Sequence, residues 1–158
     1  MIKKFLPLIL AFIIIILYTI AMLIYQGSWD SLYAMRHFEG AFFIIFGMLK
    51  ISNWRGFVNA YRMYDIVAKR SRFYAYLYPL IELALGIAYL FAFQLLITNI
   101  VTLLLMIIGI IGIAQVLMRK QKIICACMGA VFKVPMTTVT LIEDLLMGIM
   151  ALMMIILL

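Results

Sequence analysis

Residues 5–25 form an apolar run without a single charge, and four further largely apolar runs follow at 35–51, 73–93, 99–117 and 137–158. A helix crosses the hydrocarbon core of a bilayer with about 20 apolar residues. Inside lipid, every backbone N–H and C=O must be satisfied within the segment itself. Runs of this length therefore predict an all-α membrane protein. Composition agrees, with 69% of the 158 residues hydrophobic and 12% charged, against roughly half and a quarter in soluble domains. A soluble fold of this size has too little interior to hide so much apolar surface. The expectation is one transmembrane domain over 1–158, with little outside the membrane.

Lys3 and Lys4 ahead of the first run give the basic start of a signal peptide. The run is too long for the apolar core of such a peptide, and no small-x-small cleavage site follows it. It is read as a first span. Trp29, Tyr25 and Tyr33 around the first loop suit the aromatic belt at the interface. Gly40 and Gly47 in the second run, and Gly109 and Gly112 in the fourth, offer small faces on which another helix can pack closely. Between the second and third runs, Phe57, Tyr61, Tyr64, Val67 and Ala68 recur at helical spacing among Arg55, Arg62, Lys69 and Arg70. That pattern predicts an amphipathic helix over 54–69 lying in the interface, with Asn53 as its N-cap.

The net charge is +7. In a soluble chain that balance suggests nucleic acid; here the basic residues lie in short loops, where they set orientation and meet anionic lipid. Nucleic-acid binding is excluded on that ground, and the bilayer is the expected partner. With alternating spans, every Lys and Arg except Arg36 falls on one face of the membrane. The positive-inside rule makes that face cytoplasmic. The expected location is a bacterial inner membrane, multi-pass, N-terminus cytoplasmic and C-terminus outside.

Chemistry concentrates in Cys125-Ala126-Cys127-Met128-Gly129 and the segment that follows. Two thiolates one residue apart can hold a Cu(I)- or Hg(II)-like ion, with Met128 and Met136 as further soft donors. A disulfide between them closes a strained, easily reduced ring, and a cytoplasmic position is reducing. Topology therefore favours a metal dithiolate over a resting disulfide. Two inert, packed cysteines are the third reading, and packing is also the simpler reading of the methionines.

Carboxylates within spans are expensive and mark interior sites. Tyr78, Glu82, Gly86 and Tyr89 fall on one stripe of the third run. Thr140, Glu143 and Met147 share a face of the fifth, where Asp144 adjoins. Glu82, Glu143 and Asp144 are thus expected at a depth similar to the cysteines, in a pocket of thiols and acids, or else neutralised by tyrosines and nearby Lys or Arg. At the other end, His37 with Met35 and Glu39 is a candidate metal entry point. An interfacial ion pair with a solvated imidazole is the plainer reading there. No nucleotide loop, zinc-protease motif or nucleophile elbow is present.

Gly56-Phe57-Val58-Asn59-Ala60-Tyr61-Arg62-Met63-Tyr64-Asp65, Tyr78-Pro79-Leu80-Ile81-Glu82-Leu83-Ala84-Leu85-Gly86 and Cys125-Ala126-Cys127-Met128-Gly129, in this order among the spans, resemble the MauE/DoxX-like family of small, redox-associated membrane proteins. The resemblance covers roughly 35–158. It implies a DoxX-like four-helix bundle, to which the first span and the amphipathic interfacial helix are additions. Methylamine-utilisation members imply a role in maturing a disulfide-rich periplasmic dehydrogenase subunit. Relatives with Cys-Ala-Cys-x-Gly followed by a segment like Pro135-Met136-Thr137-Thr138-Val139-Thr140 are similar to membrane regions that accompany heavy-metal-associated domains. This sequence carries Ala126 where a glycine often separates the cysteines, and no metal domain of its own.

The leading expectation is a soft-metal-handling membrane protein using Cys125 and Cys127. The first alternative is a thiol–disulfide redox protein supporting periplasmic maturation, with catalytic Cys125 and Cys127 and a quinone as cofactor. The second is a non-catalytic assembly partner. The partners implied are a heavy-metal-associated-domain protein or a thioredoxin-like protein.

Overall fold

The computed structural model describes residues 2–128 and 138–158. Among them are seven helices and no strand: α1 Ile2–Gln26, α2 Ser31–Ser52, α3 Trp54–Tyr61, α4 Ile66–Arg70, α5 Arg72–Leu90, α6 Leu95–Met118 and α7 Thr138–Leu157. Five of these, α1, α2, α5, α6 and α7, are long and apolar enough to cross a membrane.

Helix ends follow their caps. α2 begins at Ser31, ahead of the expected 35, because Asp30 accepts from the Leu32 N–H at 3.0 Å. α5 stops at Leu90, short of the expected 93. The chain turns there through Ala92 and Gln94, both with positive φ, and the Phe93 N–H donates to the Ala88 carbonyl at 2.8 Å. That tight turn lets α6 start at Leu95 rather than 99.

The bundle core is α2, α5, α6 and α7. α2 packs along α5, α6 packs along α7, and α1 lies chiefly against α2. Lipid tails are as apolar as leucine, so helix association here depends on close van der Waals fit. At the α2–α5 crossing that fit needs glycine: a Cβ on Gly86 would lie 3.1 Å from the Gly40 carbonyl oxygen. On the other side of α2, Phe12 of α1 meets Phe42 and Phe46, ring centroids 6.0 and 6.1 Å apart.

The expected interfacial helix over 54–69 is two helices, and neither simply lies on the surface. Asn53 caps α3, and Trp54 Nε1–H fastens it to the Tyr76 carbonyl of α5 at 3.0 Å. The helix ends at Tyr61 because Asp65 starts a new one: its Oδ1 accepts from the N–H groups of Val67 and Ala68 at 2.9 and 2.8 Å. Its other oxygen accepts from Tyr61 Oη–H at 2.9 Å. Phe57, Val58, Tyr61, Tyr64, Asp65 and Ala68 are all buried. Gly112 of α6 makes room for the break, since a Cβ there would lie 2.8 Å from the Tyr64 carbonyl oxygen. The two short helices thus plug one end of the bundle. This end also carries Arg55, Lys69, Arg70, Arg72 and Arg119, and is called the basic end below.

Candidate functional site

Behind the plug lies a narrow cavity of ≈ 30 Å³, measured at the centres of the waters it can hold, or room for about two waters. Every core helix reaches it: Phe46 and Lys50 from α2, Tyr78 and Glu82 from α5, Met106 and Gly109 from α6, and Thr140, Glu143 and Asp144 from α7. Tyr61 and Tyr64 close it from the plug, and Cys127 from the loop after α6.

Among the described residues Lys50 is its one lysine, and its place at the end of the second apolar run groups it with the loop cations in the sequence. The structure puts it in the last turn of α2, 5% exposed, ion-paired with Glu82. Its ammonium also lies 5.0 Å from the Tyr78 ring centroid and 5.7 Å from that of Phe57. Burying two charges is costly unless they are paired and further contacted, and these rings add cation–π contact. Tyr78 meets Tyr61 in turn, the ring centroids 4.6 Å apart and the planes tilted by 39°. One Glu82 oxygen, Oε2, has no hydrogen-bond partner.

The α7 acids sit as the spacing predicts. Thr140, Glu143 and Met147 are all buried on one face. Asp144, half-buried, presses its carboxylate against Gly109, where a Cβ would stand 2.8 Å from Oδ2. Gly109 therefore receives a side chain of the neighbouring span α7, and Gly112 receives the plug backbone.

Cys125 is fully buried, Cys127 is half-buried, and both are free thiols. They occupy one turn, in which the Cys127 N–H donates to Cys125 Sγ at 3.2 Å. Hydrogen bonding with Cys125 first, and then burial, push the Cys127 thiol well above the usual range, while Lys50 opposes the shift. Burial, with the two cysteines next, likewise pushes up the Tyr64 phenol. Met128 is buried in the core and lines no part of the cavity. Met136 lies outside the described residues. Among the described residues, no group of three or more His, Cys, Asp and Glu side chains is placed to hold a metal.

The candidates at the other end divide into two places. Residues two apart on a helix do not share a face, and His37 and Glu39 point apart. His37 is buried, not solvated. Arg36 donates to its Nε2 at 3.3 Å, and Tyr18 Oη lies 3.2 Å from Nδ1. Arginine has no acceptor, so Nε2 is the acceptor and both ring nitrogens are engaged. Met35 is half-buried nearby in sequence and adds no contact to this set. Glu39 is fully buried without a salt bridge, so the interfacial ion pair is absent. It lies by Tyr89, whose hydroxyl is 2.8 Å from Asn99 Oδ1 and 3.0 Å from Thr102 Oγ1. Asn99 and Thr102 went unnoticed in the sequence because α6 was expected to begin at 99.

No curated protein and no solved structure matches the chain. The family model described as "Methylamine utilisation protein MauE" matches residues 30–157. That stretch runs from the cap of α2 to the last residue of α7 and leaves out α1. It contains the four-helix core, the plug and the loop that carries both cysteines. With five helices able to span a membrane, the chain is a multi-pass membrane protein and belongs to the MauE family.

Proposed function

We propose that this protein is a thiol–disulfide membrane protein of the MauE kind, supporting maturation of proteins across the bacterial inner membrane through Cys125 and Cys127. The observation that carries this reading is the cysteine turn itself. Two free thiols share one turn, with the Cys127 amide on Cys125 Sγ and Cys127 at the wall of a cavity holding Lys50. Family membership supports the same reading.

The exchange needs only a disulfide-bearing partner of the thioredoxin-like class. A Cys thiolate of this chain attacks the partner disulfide, forming a mixed disulfide and releasing one partner thiolate. The second cysteine attacks that mixed disulfide and releases the other. The partner gains two electrons and two protons, and Cys125 and Cys127 are left as a strained, readily reduced disulfide. A membrane quinol is the fitting class of reductant to reset the pair: it gives the Cys125–Cys127 disulfide two electrons and two protons and leaves as the quinone. The distribution of Lys and Arg supports a cytoplasmic basic end, N-terminus inside, so the partner meets the cysteines there.

The test is trapping. With Cys125→Ser the first step proceeds from the half-buried Cys127 and the second does not, so Cys127 should accumulate a partner as a reducible adduct in cells. The variant carrying both Cys125→Ser and Cys127→Ser should trap nothing and lose maturation activity. Normal maturation in the double variant would point instead to a non-catalytic assembly partner.

A soft-metal reading also has support, since two thiols in one turn suffice for two-coordinate Cu(I) or Hg(II). A heavy-metal-associated-domain protein would then deliver the ion. Purified protein should in that case bind one thiophilic ion in a form that the double serine variant loses, and Cys125→Ser should trap no partner.

A further inference from the structure

Glu39 lies in the half of the bundle remote from the cysteines, ~16 Å along α2 from Lys50 at 1.5 Å per residue. It is fully buried, and among the described residues neither carboxylate oxygen has a hydrogen-bond partner. The groups packed around it decide its chemistry. α5 contributes Tyr89, whose single hydrogen goes to Asn99 Oδ1 of α6, while the Thr102 hydroxyl, 3.0 Å away, donates to the Tyr89 oxygen. α7 has no ionisable residue beyond Asp144. Tyr18 of α1 and Arg36 of α2 are occupied with His37. An ionised Glu39 would thus face apolar surroundings with no cation and no donor, the costliest state for a carboxylate. A Glu39 bearing a proton supplies its own donor, and the Tyr89 oxygen beside it still has a lone pair to accept it. Glu39 lines neither the thiol cavity nor the pockets at Gln94, Arg36 and Phe91, and the ligand that fits without rearrangement is a proton.

We propose that Glu39, with Tyr89, Asn99 and Thr102, forms an intramembrane proton-binding site separate from the thiol cavity. The proton stays on Glu39, hydrogen-bonded to the Tyr89 oxygen that itself donates to Asn99, and it passes to a water-borne base when a change in the bundle brings the carboxylate a donor. Phe43 and Phe46, both fully buried between this site and Lys50, insulate it from the basic end.

The experiment is infrared pH titration of the full-length protein in lipid nanodiscs. The wild type should show a protonated-carboxyl C=O band at neutral pH. Glu39→Gln should remove it, Glu82→Gln should leave it, and Tyr89→Phe should shift it by removing its hydrogen-bond acceptor. The band should fade on alkaline titration and return on acidification. Absence of any protonated-acid band that Glu39→Gln removes would overturn the site, leaving an ionised Glu39 held by Tyr89 with the Asn99 amide turned over. A Glu39 band that no alkaline pH diminishes would make it a fixed structural acid and overturn reversible binding. Neither result depends on whether the cysteines exchange disulfides.

Discussion

Lys50 of α2 is ion-paired with Glu82 of α5, and both side chains are almost wholly buried. Each residue sits on a different partner of the tightest helix pair in the bundle, so the ion pair and the glycine crossing fix the same register. Removing one charge strands the other. Lys50→Met should destabilise the protein by about 3–5 kcal/mol, the usual cost of breaking a buried pair. Glu82→Gln added to Lys50→Met should recover most of that loss, because the stranded charge is gone. Denaturant unfolding in a mild detergent reads both; equal losses in the single and double variants would sink the account.

Gly86 at the α2–α5 crossing and Gly148 of α7, facing α6, carry opposite expectations. A Cβ at Gly86 would stand 3.1 Å from the Gly40 carbonyl oxygen and from the Ile44 amide nitrogen, both backbone atoms that cannot swing away. Gly86→Ala should cost about 1–3 kcal/mol by overpacking. A Cβ at Gly148 meets its nearest neighbour, Met106, at 3.5 Å, an ordinary contact. Gly148→Ala should be neutral or gain up to about 1 kcal/mol from helix propensity. The same unfolding assay checks the pair, and a similar effect at both sites would contradict the close approach.

Asp65 holds the plug together by three accepted hydrogen bonds, from Val67, Ala68 and Tyr61. Asp65→Ala removes an N-cap, worth about 0.5–2 kcal/mol, and leaves the Tyr61 hydroxyl unpaired. The plug should loosen against α6, and Cys127 behind it should be alkylated faster by a water-soluble maleimide. Asp65→Asn keeps acceptors for the cap and should stay closer to wild type. Unchanged alkylation in Asp65→Ala would mean that the plug does not guard the cysteines.

The helical stripes were legible because they rest on spacing alone. Tyr78, Glu82, Gly86 and Tyr89 are all buried together, as are Thr140, Glu143 and Met147. The break between α3 and α4 was hidden, because the apolar period carries on through Tyr61, Tyr64 and Ala68 while the cap depends on which way Asp65 turns. Lys50 was hidden for a related reason: a lysine at a helix end reads as a surface charge until a carboxylate from another helix, Glu82, is found beside it. His37 and Glu39 were separable in principle, since two residues of a helix are about 200° apart around its axis. Asn99 and Thr102 could not be joined to Glu39 from sequence, since Tyr89, on a third helix, makes the connection.

The reactivity of Cys127 should carry the signature of its surroundings. Its thiol is pushed up, first by the hydrogen bond to Cys125 and then by burial, with Lys50 acting in the opposite direction. Only the thiolate is alkylated. At neutral pH the rate should therefore lie below that of a free cysteine, and it should still be rising above about pH 8.5, where ordinary thiols level off. Cys125→Ala removes the largest raising cause, so the profile should move to lower pH. Lys50→Met, combined with Glu82→Gln to keep the fold, removes the opposing cation, so the profile should move to higher pH. Stopped-flow alkylation across pH separates these shifts from mere changes in access, because access scales the rate at every pH without moving its midpoint. Midpoints that stay at the wild-type value in both variants would show that neither Cys125 nor Lys50 governs the thiol.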